Sequence, residues 1–579
     1  MPGLNREVWR RFWAIARPFW VSEDRPAALG LLALLLVILL AQTGFSVLYV
    51  SQTGEFTSAL AAQDAARFWR TIAECTAVLI VSVPVYSFYH YTRDKLAIRW
   101  RRWLTHRFLT AYLCDRVYYR LNVTGGIDNP DQRIAEDINA FTQQSLYFLM
   151  VALSALMQLV AFTGVLWSIS KELVAVLIAY AIAGNLLTTG VFGRRLIALN
   201  FQQLRREADF RFGLVRIREH AEPIALHRGE GHELAQAKTY FAAAFTNFNR
   251  VIRAQLNLAF FQFGFSFMAL ILPTAIIATR VLAGELEVGR AVQAAGAFAA
   301  ILSAMTIIVD HFGDLSKFAA GVERLDGFSH LLLEPRDPSG PNETTIESVQ
   351  AMHLGLEDVT VQTPGRERTL VRNLTVTIPP GEGLMIVGES GAGKSSLLRA
   401  VAGLWNAGSG RIAHPRAAHL MFLPQQPYLV IGSLRNQLLY PGTEREVPDQ
   451  ELCELLERVN LPNLVEHCGG LDVERDWAKL LSVGEQQRLA FARVLLGAPR
   501  YVLLDEATSA LDAANEHNLY EQLKAARTTP ISVSHRPALL PYHHNVLLMA
   551  RDGTWRLVTA EAYRAELGAV AFSSRPAPA

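Results

Sequence analysis

Apolar residues are spread unevenly along this chain, and the unevenness divides it in two. In the first half six stretches carry few or no charges: Ala27–Gly54, Thr71–His90, Asn139–Ser170, Leu173–Gly193, Ala254–Thr279 and Ala291–Val309. Each is long enough for a helix to cross a bilayer, which takes about 20 apolar residues. One such stretch is compatible with a buried core helix, but a soluble core has no use for six, so the pattern predicts a polytopic α-helical membrane domain. Charge then orients it. Arg93, Lys95, Arg99, Arg101, Arg102 and Arg107 follow the second stretch, and Arg194, Arg195, Arg205, Arg206 and Arg211 follow the fourth. The other links are short or less basic, so the positive-inside rule puts both termini and the two long loops, about 91–138 and 194–253, in the cytoplasm.

Those loops read as helical. Leu96, Trp100, Trp103, Leu104, Phe108 and Tyr112 recur mostly at three- and four-residue steps, which predicts that the spanning helix continues into the cytoplasm. Breaks are expected at Gly125-Gly126-Ile127-Asp128-Asn129-Pro130-Asp131-Gln132 and at Glu219-His220-Ala221-Glu222-Pro223-Ile224. Their tips are either relays to a cytoplasmic partner or plain solvated turns, and the spacing does not choose. Four polar residues fall within the spans, Glu74, Gln158, Asn185 and Gln262. An intramembrane ionisable group is a functional hypothesis by default. Glu74, however, lies near the outer end of its span, and the two glutamines read as interhelical hydrogen-bond partners.

From about Leu354 the period changes to short apolar runs separated by turns and helical segments. Strands are predicted at Leu354–Val361, Leu374–Ile378, Leu384–Val387, His419–Leu423, Tyr501–Leu504, Ile531–Ser534, Val546–Met549 and Trp555–Val558. The chain is thus expected to be multi-domain: membrane domain 1–330, a polar, proline-rich linker 331–348, and an α/β domain 349–579. Composition adds little. The net charge of +2 gives no sign of a nucleic-acid partner. Cys75, Cys114, Cys453 and Cys468 have no metal-ligand or redox spacing and read as reduced, buried small hydrophobes. No cleaved leader is visible, since the first apolar span is too long for one.

The chemistry sits in the second half. Gly388-Glu389-Ser390-Gly391-Ala392-Gly393-Lys394-Ser395 fits G-x-x-x-x-G-K-[ST] between an apolar strand and a helix that opens with Ser396-Leu397-Leu398. Backbone N–H groups freed by the glycines and the positive end of the helix suit phosphate oxygens. Lys394 would reach the β- and γ-phosphates and the Ser395 hydroxyl would bind Mg²⁺. Tyr501-Val502-Leu503-Leu504-Asp505-Glu506 ends a strand in two carboxylates, one for the metal and one to polarise an attacking water. Gln425, after Pro424, and His535 each follow a strand, within reach of metal, water or γ-phosphate. Leu481-Ser482-Val483-Gly484-Glu485-Gln486-Gln487-Arg488 sets a Ser and a Gly at a second phosphate-facing helix start.

In this order, the phosphate loop, Pro-Gln, LSVGEQQR, LLDEATSALD and SHRP resemble the ATP-binding cassette of ABC transporters over about 354–558. The six spans and two long loops look like the exporter-type membrane domain fused ahead of it. Glu485 where many cassettes have Gln, with Asp128-Asn129-Pro130-Asp131-Gln132-Arg133 and Ala221-Glu222-Pro223-Ile224-Ala225-Leu226, resembles the branch of peroxisomal subfamily D half-transporters and bacterial BacA-type transporters. The resemblance implies ATP and Mg²⁺ as cofactors. Gly388, Glu389, Ser390, Gly391, Ala392, Gly393, Lys394, Ser395 and Ser396 would lie on phosphate; Ser395, Asp505 and Gln425 on the metal. Glu506 would be the general base and His535 the switch. Ser482, Gly484, Glu485 and Asp512 would serve the nucleotide of a partner copy. Thr363 stands where many cassettes stack an aromatic ring on adenine, which opens the site to GTP.

The expected protein is a homodimeric, multi-pass half-transporter in a cell inner membrane among its lipids, with the cassette in the cytoplasm and ATPase activity coupled to alternating access. The resemblance implies uptake of a bulky hydrophilic molecule, cobalamin or peptide-like. Its alternatives are export of lipid-like, fatty acyl or toxic amphipathic compounds and, in another class, a membrane-anchored ATPase sensor or scaffold.

Overall fold

The computed structural model describes residues 6–124, 130–310, 312–333 and 345–573. The chain divides into two compact units, Met1–Pro335 and Arg336–Ala579.

The first unit is all helix. Among the described residues five helical stretches are long and apolar enough to cross a membrane: Arg25–Ala61, Ala65–Val123, Pro130–Ile169, Glu230–Leu282 and Val288–Met305. The expected fourth span is the 17-residue helix Lys171–Leu187, which runs through a π-helical segment, Thr188–Gly193, into the helix Arg194–Glu219. As the periodicity predicts, the second spanning helix continues to Leu113. It breaks earlier than expected, however, at Cys114–Arg116, where Asp115 and Arg116 take positive φ of 47° and 57°. Residues 125–129, the core of the first expected break, lie outside the described residues. The second break is the short helix Ala221–His227, closed by Arg228 in the left-handed region. No side chain can be accommodated where helices Arg25–Ala61 and Val288–Asp310 cross: a Cβ on Gly289 would fall 1.8 Å from the Gly54 carbonyl oxygen. Small residues admit such close approach of membrane helices. Beside this crossing Arg67 bridges Glu55 and Glu287 at 2.6 and 3.0 Å.

Glu74, expected near the outer end of its span, pairs with Arg70 at 3.0 Å within one helix. Two sequence expectations change here. Gln158 bonds Ser154 of its own helix at 3.2 Å, one turn back, instead of a neighbouring helix. Cys114 is exposed at the kink and so is not a buried small hydrophobe, whereas Cys75 and Cys468 are buried. The side chain of Asn185 lies outside the described residues.

Helix Phe312–Leu333 carries past residue 330, residues 334–344 lie outside the described residues, and strand Glu347–Gln350 already pairs in parallel with Gly408–His414. The second unit holds two principal sheets. A four-stranded one runs Glu347–Gln350, Gly408–His414, Leu354–Gln362, Thr369–Ile378. The six-stranded one runs Trp555–Thr559, Asn545–Met549, Leu384–Gly388, Thr529–Val533, Tyr501–Asp505, Leu420–Leu423, and only its first pair is antiparallel. Val502, Leu503, Ile531 and Val533 are buried. This near-continuous apolar character is what a parallel strand covered on both faces requires. The register sets Val533 beside Asp505 and Leu423 beside Leu504, so the strand ends that carry the predicted chemistry finish level with one another.

Candidate functional site

In an open α/β sheet ligands bind beyond the carboxyl ends of the strands, and that is where these residues converge. The loop after Leu384–Gly388 turns through Gly391 and Gly393, at φ 82° and 93°, into the helix Lys394–Val401. Gly393 is required twice over, by its φ and because a Cβ there would sit 2.8 Å from the Leu370 Cβ. Lys394 is buried, and its Nζ donates to the loop's own carbonyls, Gly388 at 2.6 Å and Glu389 at 3.0 Å. Burial holds its pKa below the ordinary lysine value, against the opposing pull of Glu506 and Asp505.

The Ser395 hydroxyl donates to Asp505 Oδ1 at 2.9 Å. Burial raises the Asp505 pKa, and the Ser395 hydrogen bond partly offsets this. A bound divalent cation would remove that penalty. The Ser395 hydroxyl and Asp505 carboxylate are oxygen donors of the kind Mg²⁺ prefers. Glu506 follows with a φ of 49°, and its N–H is tied to the Val533 carbonyl at 3.2 Å. Left-handed backbone at a residue other than glycine is costly and clusters at functional sites. The Glu506 carboxylate accepts from Gln425 Nε2 at 3.2 Å. His535 lies two residues beyond strand Thr529–Val533 with its ring exposed.

The other predicted residues are held differently. Ser482 caps the helix Val483–Gly497 in a reciprocal box. The Glu485 N–H donates to Ser482 Oγ at 3.4 Å, while the Glu485 carboxylate accepts from the Ser482 N–H at 2.9 Å and hydroxyl at 2.7 Å. The Ser482 hydrogen bond lowers the Glu485 pKa. Asp512 caps Ala513–Ala525 by accepting from Asn515 N at 2.7 Å. Among the described residues, none of Ser482, Gly484, Glu485 and Asp512 hydrogen-bonds to the phosphate loop.

Three residues that sequence reasoning passed over join these parts. Gln487, buried on the helix that Ser482 starts, donates to the Gln425 carbonyl at 3.2 Å and accepts from Ala510 N at 3.1 Å. Arg536 donates to the carbonyls of Leu511 and Ser509, both at 3.0 Å, and pairs with buried Glu516 at 3.2 Å. Arg493, its pKa pushed down to about 10 by burial, bonds the Tyr428 carbonyl at 2.6 Å. Behind the switch strand His543 is buried, with Nδ1 against the Leu539 carbonyl at 2.8 Å and Nε2 against Ser532 Oγ at 2.9 Å. The carbonyl requires the proton on Nδ1, so Nε2 accepts from Ser532, which in turn accepts from Tyr520 at 2.9 Å.

Residues 18–282 match the family model of the ABC transporter transmembrane region 2, and residues 371–509 match the family model described as ABC transporter. An uncharacterized ABC transporter ATP-binding protein of Synechocystis is 42% identical over 536 residues, spanning 91% of this chain and 81% of that protein. The chain belongs to the ABC transporters. It is similar to the chloroplastic ABC transporter D family member 2 of Arabidopsis thaliana, 35% identical over 630 residues, 96% of this chain and 89% of the relative. It is also similar to the human lysosomal cobalamin transporter ABCD4, 30% identical over 592 residues, 96% and 97% of the two chains. With one membrane region followed by one cassette it is a half-transporter of the D-family type, a multi-pass membrane protein that binds ATP with Mg²⁺ and couples hydrolysis to transport.

Proposed function

We propose that two copies of this chain form an inner-membrane importer of a bulky hydrophilic molecule, cobalamin or peptide-like, with both nucleotide sites shared between the copies. The observation that carries the cargo reading is the likeness to ABCD4, a protein named as a cobalamin transporter, across 96% of this chain. The membrane domain also holds a cavity of about 310 Å³, lined by Ser46, Ser82, Tyr86 and Gln158 among mostly apolar side chains.

In the cassette, phosphate oxygens would replace the carbonyls that now hold Lys394, and Ser395, Asp505 and Gln425 would hold Mg²⁺. The metal supplies charge neutralisation on the phosphates. Glu506, oriented by Gln425, polarises the attacking water, and His535 senses the γ-phosphate. Ser482, Gly484, Glu485 and Asp512 reach the partner's nucleotide, and the loop around Glu222 passes closure to the membrane helices.

The test is uptake of labelled cobalamin and of a bleomycin-like peptide by a bacterial strain lacking its own importers, with Glu506→Gln as control. ATP-dependent uptake that the control abolishes is the expected result. Equal uptake with and without the protein, together with ATP-driven efflux of an amphipathic dye, would replace import with export.

A further inference from the structure

The place where many cassettes stack an aromatic ring on the base is filled here by Thr363, which cannot stack, and the structure shows what stands beside it. Thr363 and Arg368 face each other across the turn between strands Leu354–Gln362 and Thr369–Ile378. The Thr363 N–H donates to the Arg368 carbonyl at 2.9 Å, and the Arg368 N–H to Thr363 Oγ1 at 3.2 Å. Thr363 and Arg368 thus stand beside each other just beyond the last paired rung, Gln362 with Thr369, so Arg368 adjoins the position from which a ring at 363 would extend. This hairpin is also a wall of the phosphate loop, since Leu370, two residues on, packs against Gly393. The Arg368 guanidinium is exposed and lies over the loop, with Nη2 3.4 Å from the Gly391 carbonyl and 3.0 Å from that of Arg551. Arg551 is in turn fixed to the same loop, through Ser390 O at 3.2 Å and Glu389 at 3.0 Å. Nearby indoles are engaged elsewhere: Trp405 donates to the Gln362 carbonyl and packs on the core, and Trp555 donates to the Arg372 carbonyl.

We propose that Arg368, and not an aromatic ring, holds the purine base, its flat guanidinium lying against the face of the ring. A guanidinium stacks on any purine, because the attraction is between a cation and a π face and reads no edge group. Arg368 therefore fixes the base without choosing between adenine and guanine. The inference rests on the phosphate-loop reading above, and inorganic tripolyphosphate, which has phosphates and no base, tests that reading separately.

The experiment is equilibrium competition binding to the full-length protein in detergent, in the Glu506→Gln background so that nucleotide stays intact, with ATP, GTP and tripolyphosphate as ligands. Arg368→Ala should weaken ATP and GTP alike by about fivefold and leave tripolyphosphate unchanged. Arg368→Lys, which keeps the charge but loses the plane, should behave like Arg368→Ala. Adding Thr363→Tyr to Arg368→Ala should restore ATP binding. An equal loss for tripolyphosphate, full retention by Arg368→Lys, or unchanged ATP affinity in Arg368→Ala would each overturn the assignment, the first two making Arg368 a phosphate contact.

Discussion

The cassette presents two polar surfaces, around Gly388–Ser396 and around Ser482 and Asp512, and they are built differently. Around Gly388–Ser396 two polar pairs are bonded across long sequence separations, Ser395 to Asp505 and Gln425 to Glu506, while Lys394 folds back onto the loop that precedes it. Around Ser482 and Asp512 the same kinds of group, among the described residues, bond only within their own helix start, to Glu485 and Asn515. The first surface is assembled by the fold of one chain. The second is a pair of capped helix ends whose capping residues, among the described residues, make no hydrogen bond to that assembly, as expected of a surface completed by another copy. Gln487 and Arg536 link segments of the second surface to those of the first within one chain.

The largest effect should come from removing charge at the assembled surface. Glu506→Gln keeps the Gln425 contact and the loop but loses the group that polarises water. Turnover should fall by about 10²–10⁴-fold with nucleotide binding retained, measured as phosphate release beside equilibrium binding. Lys394→Ala should instead lose binding. Native turnover in Glu506→Gln would remove it from the role of base.

Cutting the link between the surfaces should cost less. Gln487→Leu leaves the Ala510 N–H and the Gln425 carbonyl without their buried partner, a penalty of about 1–3 kcal/mol. It should lower kcat more than it raises KM, because it displaces Gln425 and the segment after Glu506 while leaving Lys394 in place. A rise in KM alone would mean that Gln487 supports binding instead.

Acid should act on the switch strand from behind. His543 titrates at about 4 in the folded chain, against an ordinary value of 6.5. The unfolded chain thus binds the extra proton first. The contribution of the neutral side chain is complete above pH 6.5 and is lost as the pH falls from there toward 4. Replacing His543 with Gln should flatten the dependence of thermal stability on pH in that window. An unaltered slope would place the acid sensitivity elsewhere.

The smallest effect belongs to the caps. Ser482→Ala removes one N-cap and should cost about 1 kcal/mol of local stability, read as faster amide exchange in the first turn of Val483–Gly497. Loss of partner-dependent turnover from the same substitution would exceed what a cap explains.

The phosphate loop, the paired carboxylates and the Ser482 helix start were legible in the sequence because each is a local device, a few residues at fixed spacing with the chemistry in their own side chains. The spans were legible because lipid imposes a length and a composition. Gln487, Arg536 and Arg368 were not, since their side-chain partners lie 20 to 183 residues away. Strand Gly408–His414 escaped notice for a related reason. Its run Gly-Ser-Gly-Arg-Ile-Ala-His has little β-propensity, and it is a strand because Glu347–Gln350 and Leu354–Gln362 pair with it on either side. The kink at Asp115 has no glycine or proline to announce it.

The shared nucleotide site is tested most directly by mixing two broken chains. Lys394→Ala disables only the surface assembled within one chain, and Ser482→Arg only the surface offered to the partner. Each variant alone should form dimers without turnover. Mixed dimers, isolated by two different tags, contain one intact composite site and one doubly broken site, and should recover partial ATP hydrolysis. Mixed dimers as inactive as either parent would contradict a site built from two copies.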